Sequence, residues 1–141
     1  MIHPSTRTEF PHAELTDSII KCFYETYGEL GHGFSEQVLC RGLAIVLRQA
    51  GLDVLEEVQM HAWFRGHCIG TFRVDLIVNR TILIEVKGTA EIQPYAEAQL
   101  LNYLKAAGGG VGLLLNFGRR PQVRRMVMGD PANSLPLLSN D

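Results

Sequence analysis

The sequence is short of several things, and each shortage excludes a class of protein. It holds no apolar run of about 18 or more residues, the length a helix needs to cross a bilayer. Its opening stretch, "MIHPSTRTEFPHAEL", has no basic start followed by an apolar block, so no signal peptide is expected. Cysteines are few: Cys22, Cys40 and Cys68 are odd in number and far apart. They form no CxxC pair and no other zinc spacing, which leaves three reduced, mostly packed thiols in a cytoplasmic protein as the expectation. Neither sign of charge dominates, since 13 Lys and Arg against 15 Asp and Glu give a net charge of −2. That argues against broad electrostatic binding to nucleic acid but not against a local basic patch. Internal repeats and low-complexity tracts are absent too.

What is there fits an ordinary soluble domain. Hydrophobic residues make up 46% of the chain and charged residues 20%. A length of 141 residues suggests one domain, large enough to bury a core without staples. We read residues 1–13 as a loose lead-in, 14–128 as the domain and 129–141 as a flexible tail. From Leu15 the apolar positions Ile19, Ile20, Phe23, Tyr24, Tyr27 and Leu30 keep a helical spacing, with Thr16 or Asp17 as its cap. "GELGHG" ends that helix. Ser35 opens a second one, whose apolar stripe is Phe34, Val38, Leu39, Leu43, Val46 and Leu47, and Gly51 stops it.

"VLEEVQMHAWFRG" (54–66) then reads as a strand, with a turn at Arg65, Gly66 and His67. "CIGTFRVDLIV" and "TILIEVKG" follow as strands joined around Asn79 and Arg80. A third helix runs from about Pro94 to Ala107 with Ala96, Leu100, Leu101 and Leu104 inward, and "GGG" (108–110) closes it. "VGLLLNF" (111–117) is a continuous apolar run, as in a strand buried on both faces. "RRPQVRRMVM" is basic and reads as a short last strand or helix. The order helix, helix, three strands, helix, strand implies an α/β sandwich on a mixed four-stranded sheet.

The hairpin "FRVDLIVNRTILIEVKG" (72–88) raises the functional question. Its strands are apolar, yet Arg73, Asp75, Glu85 and Lys87 interrupt them. Strand side chains alternate faces. Val74, Leu76, Val78, Ile82, Ile84 and Val86 can share one apolar face only if the loop has an odd count, Asn79-Arg80-Thr81. That register pairs Val78 with Ile82 and sets Asp75 opposite Glu85, with Lys87 on the same face. Two adjacent carboxylates repel unless they share a proton or a cation. Carboxylate oxygens suit Mg²⁺, which activates water and offsets charge at phosphorus. The same spacing also suits a structural Asp/Glu/Lys salt bridge.

Asp75 followed by Glu85-Val86-Lys87 resembles the PD-(D/E)xK nuclease signature. The chain is similar, more narrowly, to the GxxExxY protein family within that superfamily, from about Leu15 to Val127. "GHGFSEQVL", "FRVDLIV", "ILIEVKG", "AEAQLLNYL" and "GLLLNFG" carry the likeness, in order. The resemblance implies a restriction-endonuclease-like sandwich and hydrolysis of DNA or RNA with Mg²⁺ or Mn²⁺. It implies that Asp75, Glu85 and the Val86 carbonyl hold the metal. Glu36 would reach the metal directly or through a water. Lys87 would orient or activate the attacking water. Gln99 and Tyr103, four apart on one helix face, match a QxxxY element. Gln99 would position Lys87 or a phosphate, and Tyr103 would contact the backbone or a base. Leu39 stands where the naming motif has Tyr. Some members of the superfamily have lost catalysis, so an inactive module that binds nucleic acid or a protein is the alternative, with a homodimer through an exposed sheet edge as one form of it.

Other residues are weaker candidates. Arg119, Arg120, Arg124 and Arg125, with Lys105, form either a phosphate-binding patch or a solvated edge that balances acidic residues. His61 and His67 flank a turn, and His32 lies just before Glu36. Trp63 reads as core or interface. "GGGVG" precedes a strand instead of joining strand to helix, so it is no phosphate loop.

Overall fold

The computed structural model describes residues 11–129. The expected lead-in (1–13) and tail (129–141) lie outside these residues except at their inner ends, where Ala13 already belongs to a helix and Gly129 to a strand. Helix α1 (Ala13–Leu30) starts two residues before the apolar period does. Neither Thr16 nor Asp17 caps it. His12 holds the N-cap position in a left-handed conformation, and the buried Thr16 hydroxyl donates back to the carbonyls of His12 and Ala13, at 3.2 Å each. Gly31 ends the helix at φ 65°, its N–H donating to the Tyr27 carbonyl at 2.8 Å. In helix α2 (Glu36–Gln49) Ser35 does cap, accepting from the Val38 N–H at 3.3 Å. Leu39, Leu43 and Leu47 are buried, whereas Phe34 and Val38, expected in the same stripe, are exposed. Helix α3 (Pro94–Ala106) begins with a proline, which lacks the N–H that a first turn leaves unpaired. Ala96, Leu100 and Leu104 are buried in it, and Leu101 only half-buried.

The strands are β1 (Val54–Phe64), β2 (His67–Val78), β3 (Ile82–Lys87), β4 (Gly109–Phe117) and β5 (Pro121–Gly129). They lie side by side in sequence order in one mixed sheet. Only the β3–β4 pairing, joined through α3, is parallel. The sheet has five strands, not the four expected: the basic segment after Arg120 is a full strand, half-buried along most of its length, and pairs antiparallel with β4. β4 is buried throughout, as a central strand covered on both faces must be.

Both faces of the sheet carry core. Leu76, Val78, Ile82, Ile84 and Val86 pack with α1 and α2 through Phe23, Leu39, Leu43 and Leu47. Ile77, Leu83 and Leu114 pack with α3 through Leu100 and Leu104. Each such Leu or Ile contributes about 1.5–3 kcal/mol by leaving water. The face expected to be polar is therefore mostly apolar, and only its end is charged. Val74 also departs from expectation, joining Met60 on the α3 side. The pairings of β1 with β2 skip Glu57 and Asp75, and Glu57 sits at φ 51°. The pairing is interrupted at that step in both strands, and across it Val74 and Leu76 fall on opposite faces.

Candidate functional site

The site forms where β2 and β3 part. Their register is Leu76 with Ile84, Ile77 with Leu83 and Val78 with Ile82, closed by the loop Asn79-Arg80-Thr81. Asn79 and Arg80 lie at φ 52° and 53°, and the Thr81 N–H donates to the Val78 carbonyl at 2.9 Å. One step further the register sets Asp75 opposite Glu85, and there the ladder stops. The carboxylates take its place. The Asp75 N–H donates to Glu85 Oε2 at 2.9 Å, and the Val86 N–H donates to Asp75 Oδ2 at 2.8 Å. Each acid thus satisfies a backbone donor of the opposite strand that the parting would leave orphaned.

The pair is electrostatically uncomfortable. Glu85 is only 4% exposed. Burial, and then the Asp75 charge, push its carboxyl up to about 8. Burial also raises Asp75, against the pull of the Val86 N–H and of Lys87. Among the described residues neither acid has an ion-pair partner within 4.0 Å. Lys87 Nζ instead donates to Gln99 Oε1 at 3.4 Å. Glu36 opens α2 and accepts from the Gly88 N–H at 3.0 Å, which ties α2 to the end of β3. The Tyr103 ring stacks on Phe72, centroids 4.4 Å apart and planes at 16°. Burial, followed by the charges of Glu85 and Asp75, raises its phenol.

Asp75, Glu85, Lys87, Gln99, Tyr103 and Glu36 therefore lie around one end of β3. All the acidic donors are hard oxygens, and buried Glu85 and half-buried Asp75 repel each other, so the set suits a hard divalent cation in chemistry. In this arrangement each carboxylate turns to a backbone N–H, and among the described residues no three His, Cys, Asp or Glu side chains converge as metal ligands. An open groove of about 380 Å³ leads away from Asp75, lined by Glu36, Cys40, Arg41, Glu57 and Arg73 among others. Arg41 and Arg73 pair across it with Glu56 and Glu57 at 3.1 and 3.4 Å.

Several residues here have no counterpart among the sequence candidates. Buried Asn116 donates to the Thr89 carbonyl at 2.8 Å and accepts from the Thr89 N–H at 3.0 Å, fixing the loop that leaves Lys87. Its signal was a lone amide inside an apolar run, because a buried amide must be paired. Cys40 Sγ lies 4.0 Å from the Asp75 carbonyl, and burial pushes the thiol up to about 12.

The weaker candidates fall elsewhere. His32 is in the exposed loop before α2, and His67 is exposed on β2. His61 approaches Cys68 Sγ at 3.6 Å. Cys68 is exposed, against the expectation of packed thiols, and none of the three cysteines is in a disulfide. Arg120, Arg124 and Arg125 pair with Glu91, Glu97 and Asp17 at 3.8, 3.3 and 3.7 Å, the arrangement of a balanced edge. Trp63 is 54% exposed and so is not core. Leu39 is fully buried. No described helix is long and apolar enough to cross a membrane.

Comparison with known proteins adds a family. No curated protein and no solved structure matches the chain. A model of the PD-(D/E)XK nuclease superfamily matches residues 13–126, from the first residue of α1 to the middle of β5. The mixed sheet between helices is that of a restriction-endonuclease-like fold. With four-fifths of its length matched, and with Asp75 and Glu85-Val86-Lys87 at the parting of two strands, the chain belongs to the PD-(D/E)XK nuclease superfamily.

Proposed function

We propose that the protein is a divalent-metal-dependent nuclease that hydrolyses phosphodiester bonds of DNA or RNA. The observation that carries this reading is the Asp75–Glu85 pair: a half-buried and a buried carboxylate that repel each other, with no side-chain cation paired to them. Asp75, Glu85 and the Val86 carbonyl hold Mg²⁺ or Mn²⁺, with Glu36 reaching it directly or through a water. When bound, the cation supplies Lewis acidity toward water and phosphate oxygens. Lys87 donates hydrogen bonds that orient the attacking water, and Gln99 holds its ammonium in place. The water oxygen forms the new bond to phosphorus. The bond to the leaving sugar oxygen breaks, and that oxygen takes a proton from solvent. Tyr103, braced on Phe72, faces the bound strand. Within the superfamily we place the chain with the GxxExxY family, with Leu39 as a core residue in place of the motif's Tyr.

The test is cleavage of labelled DNA and RNA with Mg²⁺ or Mn²⁺. Wild type is expected to cut, and Asp75→Ala and Lys87→Ala to be slower by about 10²-fold or more. A wild type that cuts nothing, or variants that cut equally well, would sink the proposal. One observation favours a second reading, an inactive nucleic-acid- or protein-binding module: the three carboxylates are all engaged by backbone N–H groups. That reading predicts no metal binding at all.

A further inference from the structure

Beyond Asp75 the β1–β2 pair leaves the sheet. β3 pairs with β2 only at Leu76, Ile77 and Val78, yet β2 starts at His67 and stays paired with β1 down to Phe64. Residues 58–74 therefore make a two-stranded arm. Its base is packed, with Met60 and Val74 buried against α3. Its tip is bare: Trp63, Phe64 and Ile69 are 54%, 57% and 66% exposed. Large apolar groups clustered at such exposure mark an interaction surface. The tip is shaped by a tight turn, with Arg65 and Gly66 both at positive φ, 50° and 81°. That turn lays the Arg65 guanidinium over the Phe64 ring at 5.2 Å.

The charge pattern indicates what covers the tip. The chain has 15 acidic residues, but none lies between Val58 and Val74. That stretch carries His61, His67, Arg65 at the tip, and Arg73, which pairs with Glu57 at the base at 3.4 Å. Acid resumes at its two ends, at Glu57 and Asp75, where the candidate site begins. β2 runs from tip to site, and the six steps from Ile69 to Asp75 span about 20 Å. An arm with no acidic residue of its own, Arg65 at its tip and exposed rings, continuous with a phosphodiesterase site, has the character of a stacking platform for bases. The tip offers rings and an aliphatic chain more than hydrogen-bonding groups. It therefore suits the flat faces of unpaired bases better than the edges of paired ones.

We propose that the β1–β2 arm holds single-stranded nucleic acid, with Trp63 stacking on a base and Arg65 meeting a phosphate. This rests on the nuclease reading and adds to it the substrate form and a contact outside the reacting atoms. Trp63 is the one tryptophan in the chain, so its fluorescence reports the arm alone. The experiment titrates the full protein in EDTA with single-stranded and duplex oligonucleotides of DNA and of RNA. It follows Trp63 emission and, separately, the anisotropy of a labelled oligonucleotide. Single strands should quench Trp63 with the same midpoint as the anisotropy. Trp63→Ala should weaken binding about tenfold, and Trp63→Phe, which keeps a ring, by no more than about threefold. Binding that leaves Trp63 emission unchanged overturns the proposal, as does equal binding by Trp63→Ala or equal quenching by duplex. Emission that changes with protein concentration alone also overturns it, because a second copy then covers the tip. Cleavage in Mg²⁺ with a silent Trp63 sinks only the arm, whereas neither binding nor cleavage sinks the nuclease reading with it.

Discussion

At the residue scale, Glu85 carries the clearest prediction. Its carboxyl is held at about 8 in the folded chain against an ordinary 4.5. The folded state thus binds this proton more tightly than the unfolded state. Metal-free protein should lose stability as pH rises from about 4.5 through about 8, and be flat in this contribution outside that window. Glu85→Gln should remove most of that slope and stabilise metal-free protein at pH 8 by about 2 kcal/mol. Thermal melts at several pH values in EDTA check both, and a variant with an unchanged slope would locate the strain elsewhere. The anomaly behind this prediction was legible in the sequence, because an Asp, a Glu and a Lys in apolar strands conflict with burial. The hydrogen bonds that hold the pair were not. They depend on β2 and β3 parting at Asp75, and neither strand's composition announces that. Asn116 was hidden for a similar reason, since its partner is the backbone of a loop 27 residues away.

At the element scale, parity did much of the work. The odd loop Asn79-Arg80-Thr81 has the register that burial required. Parity failed at Val74, because the β1–β2 pairing is interrupted at Glu57 and Asp75, a break that hydrophobic alternation does not encode. It also missed that α3 would cover the second face, so Ile77 and Leu83 turned out to be core. β5 was ambiguous because arginines interrupt its apolar residues. It is a strand because β4 would otherwise show an unpaired edge. The fit between α3 and β4 is tight at Gly112, where an added Cβ would lie 3.0–3.2 Å from three Leu100 side-chain atoms. Leu100 is fully buried and has little room to yield. Gly112→Ala should therefore destabilise by about 1–2 kcal/mol. It should also slow cleavage, because pushing α3 outward moves Gln99 away from Lys87. Denaturant melts and rates on the same preparation check this. An unchanged midpoint would mean that α3 shifts freely.

At the scale of the whole molecule, a net charge of −2 leaves little general attraction for nucleic acid. Most of the basic edge on β5 is matched by acidic partners. Binding should therefore depend only shallowly on salt. With Arg65 as the phosphate contact and Arg73 held by Glu57, the log–log slope for single strands should be about −0.7. A slope several times steeper would mean that a wider surface, with Arg119 and Arg120 in it, takes part. The central claim is that the charges in the hairpin form a cation site and not a structural salt bridge. Calorimetric titration of the metal-free protein with Mn²⁺ tests it most directly. The expected result is saturable binding, lost in Asp75→Ala and in Glu85→Ala and kept in Lys87→Ala. No heat of binding in the wild type, or binding untouched by Glu85→Ala, would contradict it.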